Sequence, residues 1–139
     1  MKILLKFSLI CCLSLTTFHL HAHSLIINPS NATAELSRNT LRAIFAMRKH
    51  YWEDGTEIKV FVLDDTNALH TEFCKTALGM FPYQLRRLWD RQVFSGTGTT
   101  PITVKSIEEM QQRVASTAGA IGYAETDSVS PNVKLLGRR

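Results

Sequence analysis

Apolar residues recur along this chain with two periods, and the switches between them mark the elements. Ser24-Leu25-Ile26-Ile27-Asn28-Pro29 is a short apolar run closed by proline and reads as a strand. Ser37 is a good helix cap, and Leu41, Ile44 and Phe45 follow at i, i+3, i+4 spacing. That helix is predicted to fray near Lys49-His50. Trp52 to Thr56 is a turn, with Asp54-Gly55 supplying the positive-φ residue. Ile58 to Leu63, I-K-V-F-V-L, has the look of a strand covered on both faces. Asp64 to Asn67 ends it, at the place where a cap for the next helix belongs.

In that next helix Leu69, Phe73 and Ala77 share a face, and Gly79 stops it. Pro82 stands at the first turn of another helix, on which Leu85, Leu88 and Trp89 share a face. Ser106 and Glu109 form an S-x-x-E capping box ahead of a stripe of Ile107, Met110 and Val114. Gly119 is placed as that helix's left-handed stop. Ala120 to Tyr123 is too short for a helix and reads as a buried strand, and Val133 to Leu136 as a last one. Strands separated by helices predict an α/β domain with a mainly parallel or mixed sheet and helices on both sides.

The first 22 residues break this pattern. Lys2 and Lys6 precede an apolar stretch from Leu9 to Phe18, and Ala22 is a small residue at a cleavage position, with Leu20 two places before it. This reads as a secretory signal peptide, with flanks and length unlike those of a spanning helix. A domain of residues 23–139 is expected to remain, periplasmic and with no membrane span. Cys11 and Cys12 lie inside the apolar stretch, so neither is placed for lipid attachment.

Removing that segment changes the charge. It carries two lysines and no acids, so Lys+Arg falls from 16 to 14 against 12 Asp+Glu, a net charge of about +2. Nucleic-acid binding would need a denser basic stripe than Arg48-Lys49, Arg86-Arg87-Arg91 and Arg138-Arg139. One cysteine, Cys74, is left, which excludes an internal disulfide and fits a buried thiol on a helix face.

Candidate chemistry is sparse. Ser95-Gly96-Thr97-Gly98-Thr99-Thr100 has the N–H groups and hydroxyls to hold an anion, and is equally suited to connect two helices. It lacks the Gly-Lys-Ser/Thr of a Walker A loop, and Pro101 stands where a dinucleotide fingerprint needs its third glycine. His19, His21 and His23 alternate, but cleavage would remove two of them, and His50 and His70 have no metal-ligand spacing. No nucleophile elbow or H-E-x-x-H is present, and Asp64-Asp65 and Glu108-Glu109 fit helix-start charge better than acid–base work. No enzyme activity, metal or cofactor is expected.

The order of features resembles one lobe of the type 2 periplasmic-binding-protein fold, in the branch of phosphate ABC transporter substrate-binding proteins. The carrying residues are Leu36-Ser37 with Leu41-Arg42-Ala43-Ile44-Phe45, Trp52-x-Asp54-Gly55-x-x-Ile58, Val60-Phe61-Val62, Phe73, Trp89, Phe94-x-Gly96-x-Gly98, Pro101, Val104-x-Ser106, Met110, Val114 and Gly119-Ala120-Ile121-Gly122-Tyr123. The resemblance implies a three-layer αβα sandwich with a mixed sheet. It implies a solute-binding module taking phosphate or another oxyanion, with Thr66, Asn67, Ser95, Gly96, Thr97 and Gly98 nearest the ligand. It also implies a membrane transporter or sensor as partner.

The chain departs from that family at two points. It has room for one lobe where the family closes two around its ligand. The family's arginine position is Leu63, and its Ser-Gly-Thr falls on Asn67-Ala68-Leu69, or one residue earlier with Thr66 as the serine. Asp64 and Asp65 beside it would repel a dianion. The alternative is therefore a ligand-free lobe acting as a protein-interaction partner of an envelope sensor or transporter.

Overall fold

The computed structural model describes residues 22–139; the signal-peptide reading, with His19 and His21, lies almost wholly outside them. One six-stranded mixed sheet forms the middle layer, in the order β2-β6-β1-β5-β3-β4. β1 (His23–Ile27) lies between β5 (Ala120–Glu125) and β6 (Lys134–Arg138), antiparallel to both. β3 (Lys59–Val62) runs parallel to β5 and to β4 (Ile102–Thr103), while β2 (Glu35–Leu36) runs parallel to β6. The four strands read from the sequence are all present. The added strands, β2 and β4, are two residues long and carry no periodicity to read.

Alternation on β5 divides the core. Tyr123 stacks on Phe73, ring centroids 4.1 Å apart, and lies beside Phe45. Gly122 faces the other way: a Cβ there would lie 2.5 Å from Met110 Sδ. By period, Ala120 and Ala124 share the Gly122 face, so three small residues let a helix approach. That helix is α4 (Ile107–Ser116); α1 (Arg38–Phe45) and α2 (Ala68–Phe73) cover the opposite face. The result is the expected three-layer αβα arrangement. α3 (Pro82–Phe94) packs outside α1, where Trp89 Nε1 donates to the Phe45 carbonyl at 2.7 Å.

Local signals explain most boundaries. The Thr40 N–H donates to Ser37 Oγ at 3.2 Å and starts α1. α2 widens into a π-helical turn, Cys74–Leu78, which ends at Gly79 with φ +66°. Two readings are adjusted. The Glu109 N–H donates to Ser106 Oγ as predicted, but Glu109 Oε2 accepts from the Lys105 N–H rather than from Ser106, so the reciprocal half of the box sits one residue early. Gly119 does adopt φ +76°, yet α4 has ended at Ser116. Gly119 serves the turn into β5, where a Cβ would lie 2.0 Å from the Glu57 carbonyl oxygen. The C-terminus of α4 is closed instead by Asn28, whose Nδ2 donates to the Val114 and Ala115 carbonyls at 3.0 Å each.

Candidate functional site

Two parallel neighbours, β3 and β4, send their chains to opposite faces of the sheet. β3 leads into α2 on one side and β4 into α4 on the other. Their carboxyl ends diverge, and such a point is where open α/β sheets leave a crevice for a ligand. The segments that leave these ends are Leu63–Asn67 after β3 and Val104–Ser106 after β4.

The hydrogen bonds of this edge start from a buried ring. Tyr123 Oη accepts the Leu63 N–H at 2.9 Å and lies 2.5 Å from His70 Nδ1. The Asp65 carboxylate on the far side of the ring favours the tautomer with its proton on Nε2, in which the Tyr123 hydroxyl donates to Nδ1. That Nε2 is 3.6 Å from Asp65 Oδ1 and 3.5 Å from Cys74 Sγ. Asp65 is held by a fork from α3: Arg86 Nε and Nη2 donate to its two oxygens at 2.9 and 3.1 Å. Arg86 also lies over the Trp89 ring at 5.0 Å. A continuous set of polar contacts thus runs from β5, through α2, to α3.

The turn outside it satisfies itself. The Thr66 N–H and Oγ1 both donate to Asp64 Oδ1, at 2.9 and 2.7 Å. The Asn67 N–H donates to the Asp64 carbonyl, and Asn67 Oδ1 accepts from the Leu69 and His70 N–H groups at 2.9 and 3.4 Å. The N–H groups of Leu63, Thr66, Asn67, Leu69 and His70 are therefore all taken from within.

Electrostatics follow this geometry. The Thr66 backbone and hydroxyl bonds hold the exposed Asp64 carboxyl below its ordinary range. Burial lowers the His70 pKa, with Asp65 opposing. Burial pushes the Cys74 thiol up to about 12 and raises Tyr123 well above its usual value, the Leu63 N–H opposing. The Asp65 fork raises Arg86 further. At neutral pH the buried members are a neutral imidazole, a phenol and a thiol. This thiol is no nucleophile, since reactivity needs the thiolate.

Thr66 and Asn67 lie at the carboxyl end of β3, at the start of α2. Ser95, Gly96, Thr97 and Gly98 lie at the other end of the sheet. They follow the C-terminus of α3, where the Ser95, Gly96 and Thr97 N–H groups donate to the Arg91, Val93 and Gln92 carbonyls. Thr99 and Thr100 then line a cavity of about 150 Å³ with Met47, His50, Lys59 and Ile102, at the amino ends of β3 and β4. The loop thus closes the partially negative end of a helix, and the structure does not bring the two predicted groups together. Asp65, Arg86, His70 and Tyr123 were not foreseen as a cluster: Arg86 is 21 residues from Asp65, and Tyr123 is 53 from His70. Cys74 is buried, as expected. Among the described residues no group of three or more His, Cys, Asp or Glu is placed to hold a metal ion.

The chain matches no protein-family profile and no curated protein sequence. Solved structures match its shape. An ABC-type phosphate transport receptor from Vibrio cholerae superposes with TM-score 0.67 at 17% identity, over 84% of this chain and 46% of that one. PstS from Borrelia burgdorferi gives 0.64 at 14% identity, over 85% and 47%. The fold is like one lobe of a type 2 periplasmic binding protein. A Clostridium perfringens protein assigned as a phosphate ABC transporter substrate-binding protein, solved with bound phosphate, matches at 0.68 with 15% identity, over 84% and 44%. The lobe therefore spans under half the length of these chains, and at such identities the likeness is one of fold. Among its described residues no helix is long and apolar enough to cross a membrane.

Proposed function

We propose that this chain is a binding-protein-type lobe that works by docking a protein partner at its carboxyl edge rather than by capturing free phosphate. One observation carries the reading: five N–H groups around the start of α2, those of Leu63, Thr66, Asn67, Leu69 and His70, are already spent on Tyr123, Asp64 and Asn67. An arriving oxyanion would have to displace these bonds, beside the carboxylates of Asp64 and Asp65. The lobe described here offers one wall, and a protein partner can supply the facing one. If residues 1–22 direct secretion, that partner is an envelope transporter or sensor.

Titration calorimetry with phosphate, sulfate and molybdate tests the first half. No heat at millimolar ligand supports the reading, and saturable phosphate binding overturns it. For the second half, a photo-crosslinker attached at Thr66→Cys should capture one envelope protein, and the same probe at exposed Gln112→Cys should not.

Phosphate binding is the second reading, favoured by the phosphate-named neighbours. It places Thr66 and Asn67 nearest the anion. Because Ser95, Gly96, Thr97 and Gly98 lie at the sheet's other end, they belong to it only as a separate site. Loss of phosphate heat in Thr66→Ala together with Asn67→Ala would support it.

A further inference from the structure

α3 is the longest helix of the described residues, and none of them covers its outer face. It buries Leu85 and Trp89 and packs Leu88 partly against the core. On the side away from those residues, Tyr83, Arg87, Asp90 and Phe94 fall within an arc of about 60° at 100° per residue. All four are exposed, and the aromatic pair strongly so: Tyr83 is 57% and Phe94 90% accessible. Their spacing is four, three, four, which is the seam spacing of paired helices.

The order of chemistry along this seam is symmetrical. It reads aromatic, cation, anion, aromatic, and its midpoint lies between Leu88 and Trp89. Turned end for end, the stripe presents an aromatic to each aromatic and an opposite charge to each charge. We propose that two copies of this chain pair through α3, antiparallel about a two-fold axis at that midpoint. Tyr83 of each copy then meets the other's Phe94, and Arg87 of each meets the other's Asp90. The flanking pairs are Gln84 with Arg91 and Arg86 with Val93, none of like charge. A parallel pairing would set Arg87 on Arg87 and Asp90 on Asp90, so charge selects the antiparallel one.

Two details prepare the face. Arg87 already lies over the Tyr83 ring, 5.6 Å from its centroid, and Phe81 stacks on the same ring at 5.9 Å. The seam is thus partly ordered before it meets a partner. An isologous contact of this kind closes on itself as a dimer. Because α3 runs from Arg86 near the carboxyl edge to Ser95 near the amino edge, antiparallel pairing leaves both carboxyl edges open at opposite ends. The dimer therefore stands independently of what those edges bind. A single helix pair buries less than the roughly 1,000 Å² of a robust interface, so the association is weak and concentration-dependent.

Sedimentation equilibrium over a series of protein concentrations tests this on the chain comprising residues 23–139, with folding of each variant checked by circular dichroism and melting temperature. The wild type should move from monomer toward dimer. Arg87→Asp and Asp90→Arg should each weaken the dimer Kd by about tenfold or more, and the double exchange should recover most of the loss. Should either reversal unfold the chain, Phe94→Ser, at the most exposed position, replaces it and should weaken the dimer. For orientation, mixed Tyr83→Cys and Phe94→Cys variants should cross-link to each other, and neither variant to itself. A monomer at every concentration, a dimer indifferent to both reversals, or no recovery in the double exchange overturns the proposal.

Discussion

Removing one oxygen atom tests whether the buried contacts behind the carboxyl edge hold the domain together. In Tyr123→Phe the ring keeps its stack on Phe73, 4.1 Å away and inclined by 12°, so the change isolates the hydroxyl. That hydroxyl serves the Leu63 N–H at 2.9 Å and His70 Nδ1 at 2.5 Å. Leu63 is 1% and His70 0% accessible, so water reaches neither group without structural change. An orphaned buried polar group costs about 1–3 kcal/mol. Two of them cost about 2–6 kcal/mol, and a turn of the imidazole toward Cys74 recovers part, leaving about 2–4 kcal/mol. Against a typical stability of about 5–15 kcal/mol this is a large fraction. At about 4 °C per kcal/mol for a domain of this size, the melting temperature should fall by about 8–16 °C. Urea unfolding should show a lower midpoint with an unchanged slope. Tyr83→Phe, at an exposed ring, is the control and should stay within about 0.5 kcal/mol. A loss below about 0.5 kcal/mol in Tyr123→Phe would refute the reasoning, because it would mean that neither partner depends on the oxygen.

Burial also ties stability to pH. The native His70 pKa lies below the ordinary value of about 6.5, so as pH falls through that value the unfolded chain takes up a proton that the native chain refuses. Stability should be fully present above pH of about 6.5 and fall toward the native pKa, by up to about 1.4 kcal/mol per unit. His23, lowered chiefly by burial and then by Arg138, adds to the same trend, and His70→Gln should flatten the slope measured by urea unfolding at several pH values. Gly119→Ala should cost more than about 3 kcal/mol, because positive φ and a carbonyl 2.0 Å from the new Cβ act together, whereas Gly55→Ala, with φ +84° and open space, should cost about 1 kcal/mol. Cys74, buried and with its thiol raised to about 12, should ignore a thiol reagent at pH 8 in the native protein and react fully in denaturant.

The frame of the fold was legible because its signals are local. Ser37, Asn67, Pro82 and Ser106 each start a helix from within a few residues of it, and Gly79 stops one in the same way. The antiparallel setting of β1 was not legible, since alternating strands and helices say nothing of direction when the first strand inserts between the last two. Nor was the cluster behind the carboxyl edge. Asp65 read as helix-start charge, His70 as an imidazole without spacing and Tyr123 as core packing, and each reading is locally fair. What joins them is the sheet, which brings β5 beneath α2, and α3, which brings Arg86 back onto Asp65. The loop Ser95–Thr100 shows the reverse: its glycines and threonines suit an anion, but three of its N–H groups are spent on the carbonyls of the helix it follows.

The two rims of the sheet have a consequence for behaviour in concentrated solution. β2 and β4 are each two residues long, Glu35–Leu36 and Ile102–Thr103, so an intruding strand finds no more than a short ladder to extend on either side. Strand addition and fibril templating need a long, flat, exposed rung sequence, and neither rim supplies one. The domain can therefore carry a near-continuous apolar interior, from Leu25 to Ile27 and from Val60 to Leu63, without presenting it as a seed for aggregation once folded. The vulnerable interval is the one before those short strands close over β6 and β3.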